Sequence, residues 1–160
     1  MSSVSDNYHT FALRQLSYKD RIIAIEQALI DFENVGVLII DGIADLVSDV
    51  NDLEQSNLCV QKLMEWTARF NCHIITVIHS NMGTSKPTGH LGSFLEKKAE
   101  TQIELELNNV HTDWVTVSCK RSRGYPFEKF SFKVNDFGLP ELIGDIYDPL
   151  KDFNKNSTKA

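Results

Sequence analysis

Hydrophobic and polar positions follow two different periods along this chain, and the change of period divides it. Ile22, Ile25, Leu29 and Phe32 recur at helical spacing, which predicts an amphipathic helix over 18–32. Ser17, with Asp20 three residues on, resembles a capping box with the shorter acid at its start. Val37-Leu38-Ile39-Ile40 then runs without a break into Asp41. A continuous apolar run this short predicts a strand over 36–40 that is buried on both faces, as in a parallel sheet. A second helix is predicted from about 53 to 70, carrying Val60, Leu63, Met64, Trp66 and Phe70 and broken by Asn71-Cys72. His73-Ile74-Ile75-Thr76-Val77-Ile78-His79 predicts another buried strand. Strand, helix and strand at this spacing make a βαβ unit, whose two strands should be parallel and joined right-handedly.

Beyond His79 the pattern loosens and then tightens to a period of two. Gly83, Pro87 and Gly89 mark 80–90 as a mobile loop, and a short helix is expected over 91–98. Ile103, Leu105 and Leu107 then face one way and Glu104 and Glu106 the other. Further strands at 113–120 and 128–134 keep that alternation, and their short connections predict antiparallel neighbours. Thr10-Phe11-Ala12-Leu13 has the character of a short strand. The organisation expected is a loose segment over 1–9, a single domain over 10–146 and a flexible tail over 147–160.

Composition narrows the class without naming a chemistry. The chain has 160 residues, 42% of them hydrophobic, which suits one globular domain and argues against wholesale disorder. A net charge of −6 disfavours broad nucleic-acid binding by charge alone, while leaving room for a local basic patch. Cys59, Cys72 and Cys119 form no C-x-x-C pair, so zinc ribbons and dithiol redox motifs are excluded, and reduced thiols are expected. Neither a membrane-length apolar run nor a signal-peptide pattern occurs, so no membrane partner and a cytoplasmic location are expected.

The candidate chemistry gathers at strand ends. An aspartate closing a buried strand, as Asp41 does, stands where open α/β sheets bind ligands. With Ile43-Ala44-Asp45-Leu46 behind it, this stretch looks like the Walker B segment of a nucleotide hydrolase. The strand ending in His79, the glycine-containing loop and the late basic hairpin come after it in that order. Together they resemble the second half of a RecA-like ATPase core, over about residues 10–140. The similarity is to replicative helicases of the DnaB type and RepA-like plasmid ATPases. It is closer still to ATPases associated with mobilisation, in which a phrase such as Gly89-His90-Leu91-Gly92 is typical. The fold this implies is α/β, a three-layer RecA-like half-domain with parallel strands flanked by helices and antiparallel C-terminal strands.

The resemblance assigns roles. Asp41 would hold the Mg²⁺ shell, as catalytic and metal residue together, and His79 would sense the γ-phosphate through a neutral imidazole. Lys86 and His90 fall in or beside a loop that contacts DNA in such proteins. Arg123, helped by Arg121 or Lys120, corresponds to cations that reach a neighbouring subunit's nucleotide. Plainer readings stand beside these. In them Asp41 caps the next helix or ends the strand, His79 satisfies a nearby carbonyl and His90 caps a helix. Lys86 then sits in a solvated loop, and the basic hairpin keeps an edge soluble. Asp45 and Asp49 suit a solvated face or a helix cap.

One part is missing. ATP hydrolysis in this family uses a G-x-x-x-x-G-K-[ST] loop to cradle the phosphates. None of the eight glycines here precedes Lys-Ser or Lys-Thr. The cofactors implied, Mg²⁺ and ATP, are therefore not expected to be held by this chain alone. The chain is expected to correspond to the later half of such a core, either cut from a longer protein or a natural half-domain. The partners expected are a second copy, through an open sheet edge, and single-stranded DNA. The function implied is an ATPase-family domain of DNA replication or mobile-element mobilisation, unable to hydrolyse ATP by itself. Two alternatives remain: a non-enzymatic DNA- or protein-interaction module, and an unrelated α/β enzyme using Asp41 and His79, for which no G-x-S-x-G motif is present.

Overall fold

The computed structural model describes residues 7–81, 86–108 and 113–143, and the chain divides into two compact units, Met1–Lys98 and Ala99–Ala160. The expected flexible tail over 147–160 and part of the loop over 80–90 lie outside the described residues.

In the first unit, helix α1 spans Tyr18–Asp31. Ser17 caps it as the sequence suggests: its hydroxyl accepts the Asp20 N–H at 3.2 Å and donates to the Asp20 carboxylate at 2.6 Å. Strand β1, Val37–Asp41, runs into a 3₁₀ turn over Ile43–Leu46. Helix α2 spans Leu53–Phe70, starting at Asp52, whose carboxylate accepts the Gln55 N–H at 2.9 Å. It stops at Asn71, which adopts the left-handed conformation at φ 49°. Strand β2, His73–Val77, lies parallel to β1 with Val37 opposite His73 and Asp41 opposite Val77. Helix α3, Gly89–Lys98, closes the unit. The expected strand at 10–13 does not form: residues 10–13 join no sheet, and the Leu13 carbonyl is taken by the Leu16 N–H and by the Arg21 guanidinium.

The core lies on one side of β1 and β2. Ile25 and Leu29 of α1, Cys59, Val60, Leu63 and Trp66 of α2, Leu91 of α3 and Ile40 of β1 are all buried together. Among the described residues nothing covers the other side: Val37, Ile39, Ile75 and Val77 are 42–59% exposed. This corrects the expected fold. Among the described residues there is no three-layer RecA-like sheet flanked by helices on both faces. There is a two-stranded parallel sheet with helices on one face, and a separate four-stranded antiparallel sheet. The apolar run of β1 suits burial on both sides, but among the described residues one side alone is covered.

The second unit contains that antiparallel sheet. Strands β3 (Thr101–Leu107), β4 (Trp114–Ser122), β5 (Phe130–Val134) and β6 (Pro140–Ile143) lie in chain order, each paired with the next. The antiparallel pairing expected from the alternating segments forms, and β6 adds an edge strand that the pattern does not announce.

Glu26 links α1 to α2. Its carboxylate lies 2.9 Å from both Lys62 Nζ and Arg69 Nη1. The Lys62 hydrogen bond, assisted by the two positive charges, outweighs desolvation and holds the Glu26 carboxyl below its ordinary 4.5. A carboxylate lowered in the folded state contributes stability that is present above its unfolded value and is lost as pH falls through the lowered one. Thermal denaturation measured from pH 7 to pH 3 should show that loss beginning near 4.5. Glu26→Gln should remove about 1 kcal/mol of it at neutral pH and flatten the acid limb. An acid limb unchanged in Glu26→Gln would mean that other carboxylates dominate. Lys62 is raised by the same hydrogen bond, so its part is complete below 10.5 and fades as pH climbs through the raised value.

Candidate functional site

The parallel pairing fixes where the two strand-end residues stand. Asp41 is the last residue of β1 and lies opposite Val77, the last residue of β2, with His79 two residues further on. Both therefore sit at the carboxyl ends of adjacent parallel strands, the rim at which α/β sheets gather ligand-binding groups. Exposure alternates through this stretch. Ile75, Val77 and His79 are exposed, as is Asp41, while Ile74, Thr76 and Ile78 are partly covered. Neither the Asp41 carboxylate nor the His79 imidazole has a side-chain partner among the described residues. The Asp41–Gly42 peptide is cis.

The 3₁₀ turn after Asp41 is held from behind by Arg21, which the sequence pattern does not single out. Its guanidinium donates to the carbonyls of Leu13 at 3.1 Å, Arg14 at 3.0 Å and Asp45 at 2.8 Å, and its Nη1 lies 3.6 Å from the Asp45 carboxylate. Asp45 thus anchors the turn, and Asp49 accepts the Asn51 N–H at 2.8 Å. The Asp45 carboxylate is 70% exposed and the Asp49 carboxylate is exposed and closes a loop turn, so neither caps a helix.

The loop after His79 is held by Thr88, another residue the sequence pattern leaves unmarked. Its N–H and its hydroxyl both donate to the His79 carbonyl, at 3.1 and 2.8 Å. Ser80 bridges Pro87, and the Asn81 N–H donates to the Lys86 carbonyl at 2.8 Å, so the two described ends of the loop return together to the rim. The phrase Gly89-His90-Leu91-Gly92 then has a packing logic. Gly89 has φ +68°, and a Cβ there would stand 2.5 Å from the Val50 carbonyl oxygen. Leu91 is fully buried and donates its N–H to that oxygen at 3.1 Å. Gly92 lies so close to Pro87 that a Cβ would come within 2.5 Å of it. His90 is exposed in the first turn of α3, behind Gly89 rather than at the cap position. Lys86 is exposed at the end of the loop.

The cations of the predicted basic hairpin belong to the second unit. Lys120 Nζ lies 3.9 Å from Glu104 Oε1. Arg121 stands opposite Gln102 near the end of β4. Arg123, just past the strand, donates its backbone N–H to the Glu100 carbonyl at 3.0 Å. Of the predicted site residues, Asp41, His79, Lys86 and His90 belong to the first unit, and Lys120, Arg121 and Arg123 to the second.

A cation would find one oxygen ligand at this rim. Among the described residues no three His, Cys, Asp or Glu side chains gather as a metal site. That is compatible with Mg²⁺, which takes about one or two carboxylates and completes its shell with phosphate oxygens and water. The triphosphate finds no such fit, because its cradle is absent from the sequence. A separate hollow of about 700 Å³ lies between α1 and α2, lined by Tyr18, Ile22, Leu58 and Lys62 among others, and contains none of the predicted site residues. Burial pushes the Cys59 thiol beside it up to about 11, making it a packing residue rather than a nucleophile. Among the described residues no helix is long and apolar enough to cross a membrane. Comparison with known protein families finds no match for the chain, and neither does comparison with curated proteins.

Proposed function

We propose that this chain supplies the metal-facing and phosphate-sensing part of an ATPase site of the kind used in DNA replication or mobile-element mobilisation, and that it does not turn over ATP alone. The observation carrying this reading is the shared rim, with Asp41 and His79 at the same ends of adjacent parallel strands, both exposed. The reading rests on that rim and not on a three-layer sheet. Asp41 offers Mg²⁺ a carboxylate oxygen, and the cation brings Lewis-acid stabilisation of a phosphate when bound. His79 presents an imidazole able to hydrogen-bond a phosphate oxygen or its water. The two hydrogen bonds from Thr88 to the His79 carbonyl connect that imidazole to the loop and α3, so a change at the rim has a route into the segment behind it. The backbone cradle and lysine of a P-loop have to come from a different stretch of polypeptide, because this sequence contains none.

Manganese tests the rim directly. Mn²⁺ with ATP, titrated into labelled protein, should broaden the amide resonances near Asp41, Val77 and His79 first, with a Kd above about 1 mM. Asp41→Asn should abolish the effect. Broadening that begins elsewhere, or that survives Asp41→Asn, would remove the basis of the reading. In the same preparation no ATP hydrolysis above background is expected. A Mg²⁺-dependent rate that vanishes in Asp41→Ala would show the site to be complete within this chain.

A further inference from the structure

We infer that the apolar face of the antiparallel sheet is a homodimer interface, covered by the same face of a second copy of this chain. The inference is independent of Asp41 and His79. The registers of the four strands put one set of side chains on a single side. Leu105, Val117 and Phe130 lie opposite one another across β3, β4 and β5. Leu107, Val115, Phe132 and Leu142 do so across all four strands. Ile103 opposite Cys119 and Val134 opposite Pro140 complete the face at its two ends. The charged residues Glu104, Glu106, Lys133 and Glu141 fall in the alternate register, on the other side.

A sheet with one apolar face has to bury it against another layer. Among the described residues no layer covers it: Phe130, Leu142, Ile103, Val134, Leu105 and Leu107 remain 42–71% exposed. Six side chains at that exposure present on the order of 600 Å² of apolar surface, at the upper limit of the patches that monomeric proteins leave open. The same area approaches the roughly 800 Å² that each partner contributes to a standard interface, and Val115, Phe132 and Pro140 extend it at the margins.

The chemistry of the face selects a second copy as its occupant. In a two-fold interface each group meets its own kind across the axis, so any charge on the face would face a like charge. A net charge of −6 opposes self-association on average, and this face, formed by apolar side chains, sets no like charges across the axis to add to that repulsion. Its relief is also self-complementary. A hollow of about 470 Å³ opens over Val117 between Phe130, Phe132, Pro140 and Leu142. Leu105 and Leu107, 61% and 71% exposed, protrude from the strand at the opposite edge. A two-fold axis parallel to the strands and midway between the two sheets sets the leucines of one copy over the hollow of the other, in the face-to-face packing about 10 Å apart that pairs of sheets adopt.

Sedimentation velocity of the full chain up to about 200 µM tests this, with a dimer of micromolar Kd expected. Leu105→Glu should weaken association at least about 100-fold while leaving the far-UV circular dichroism unchanged, because it places a carboxylate opposite an apolar pocket only in the dimer. Leu107→Lys, at the end of β3, should do the same and carries the test if Leu105→Glu fails to fold. Ile39→Glu, on the uncovered side of β1, should leave the dimer intact. A wild-type chain that stays monomeric throughout, folded variants that still dimerise, or dissociation by Ile39→Glu would each overturn the proposal.

Discussion

Trp66→Ala is expected to cost about 3–5 kcal/mol, the largest loss of any single truncation among the described residues. Trp66 is fully buried about one turn before the end of α2, within the cluster that includes Ile25, Leu29, Val60, Leu63 and Cys72. That cluster is assembled from all three helices but lies on only one face of a two-stranded sheet. The layer on that face is therefore the whole of the unit's buried core among the described residues, and no second core can compensate for a void within it. Against a total stability of about 5–15 kcal/mol for a small domain, such a loss brings the unit close to its melting point. Trp66→Phe separates volume from polarity. The indole Nε1 lies toward the Glu26 carboxylate without completing a hydrogen bond, so losing it forfeits little beyond a weak electrostatic contribution. The phenylalanine variant should lose less than half of what the alanine variant loses. Urea titrations of the three proteins give the comparison, and a loss below about 1 kcal/mol in Trp66→Ala would mean that the core closes over the gap.

How far the sequence discloses this arrangement depends on the range of the interaction involved. Helix α2 has the predicted bounds because its signals are local: an aspartate cap at Asp52 and a left-handed Asn71 after the last turn. The period of two in β3, β4 and β5 is equally local, and those strands pair as the alternation requires. Strand β6 leaves almost no pattern because it has four residues, begins with Pro140 and comes directly after a turn at Gly138.

The arrangement of sheets was not legible, and the reason is physical. In β1, Val37 and Ile39 face out while Leu38 and Ile40 face in, yet all four are large aliphatic residues. Such a run reports that both faces are suited to burial, not that both are buried. The same limit applies at the rim. Asp41 and His79 could be placed on adjacent strand ends from the apolar runs alone. The groups behind them, Arg21 and Thr88, act through carbonyls that are distant in sequence and leave no periodic trace. The Gly89-His90-Leu91-Gly92 phrase was visible as a motif, but its steric basis lies in Val50 and Pro87, which no local pattern connects to it.

That steric basis leads to the other large effect, at Gly89 and Gly92. Gly92→Ala would place a methyl group 2.5 Å from Pro87 Cβ and 2.7 Å from its carbonyl carbon. Neither atom belongs to a flexible side chain, so relief requires the helix and the loop to separate. Overpacking of this kind costs about 1–3 kcal/mol. Gly89→Ala adds a left-handed backbone, about 1–2 kcal/mol for a residue with a Cβ, to a contact of 2.5 Å with the Val50 carbonyl oxygen. That oxygen also accepts the Leu91 N–H, so moving it loosens a fully buried leucine. The two substitutions should differ in where the damage spreads. Gly89→Ala acts through Val50 on the start of α2, where the Ser56 hydroxyl donates to the same carbonyl at 3.2 Å. Gly92→Ala acts through Pro87 on the loop, and thus on Thr88 and the His79 carbonyl that it binds. Hydrogen exchange resolves them: Gly92→Ala should speed exchange at the Thr88 amide by tenfold or more, about 1.4 kcal/mol of lost protection. Gly89→Ala should speed it most at Leu91. If both variants left Thr88 protected, the loop would be held at the rim by something other than its packing on α3, and His79 would have no mechanical route to that helix.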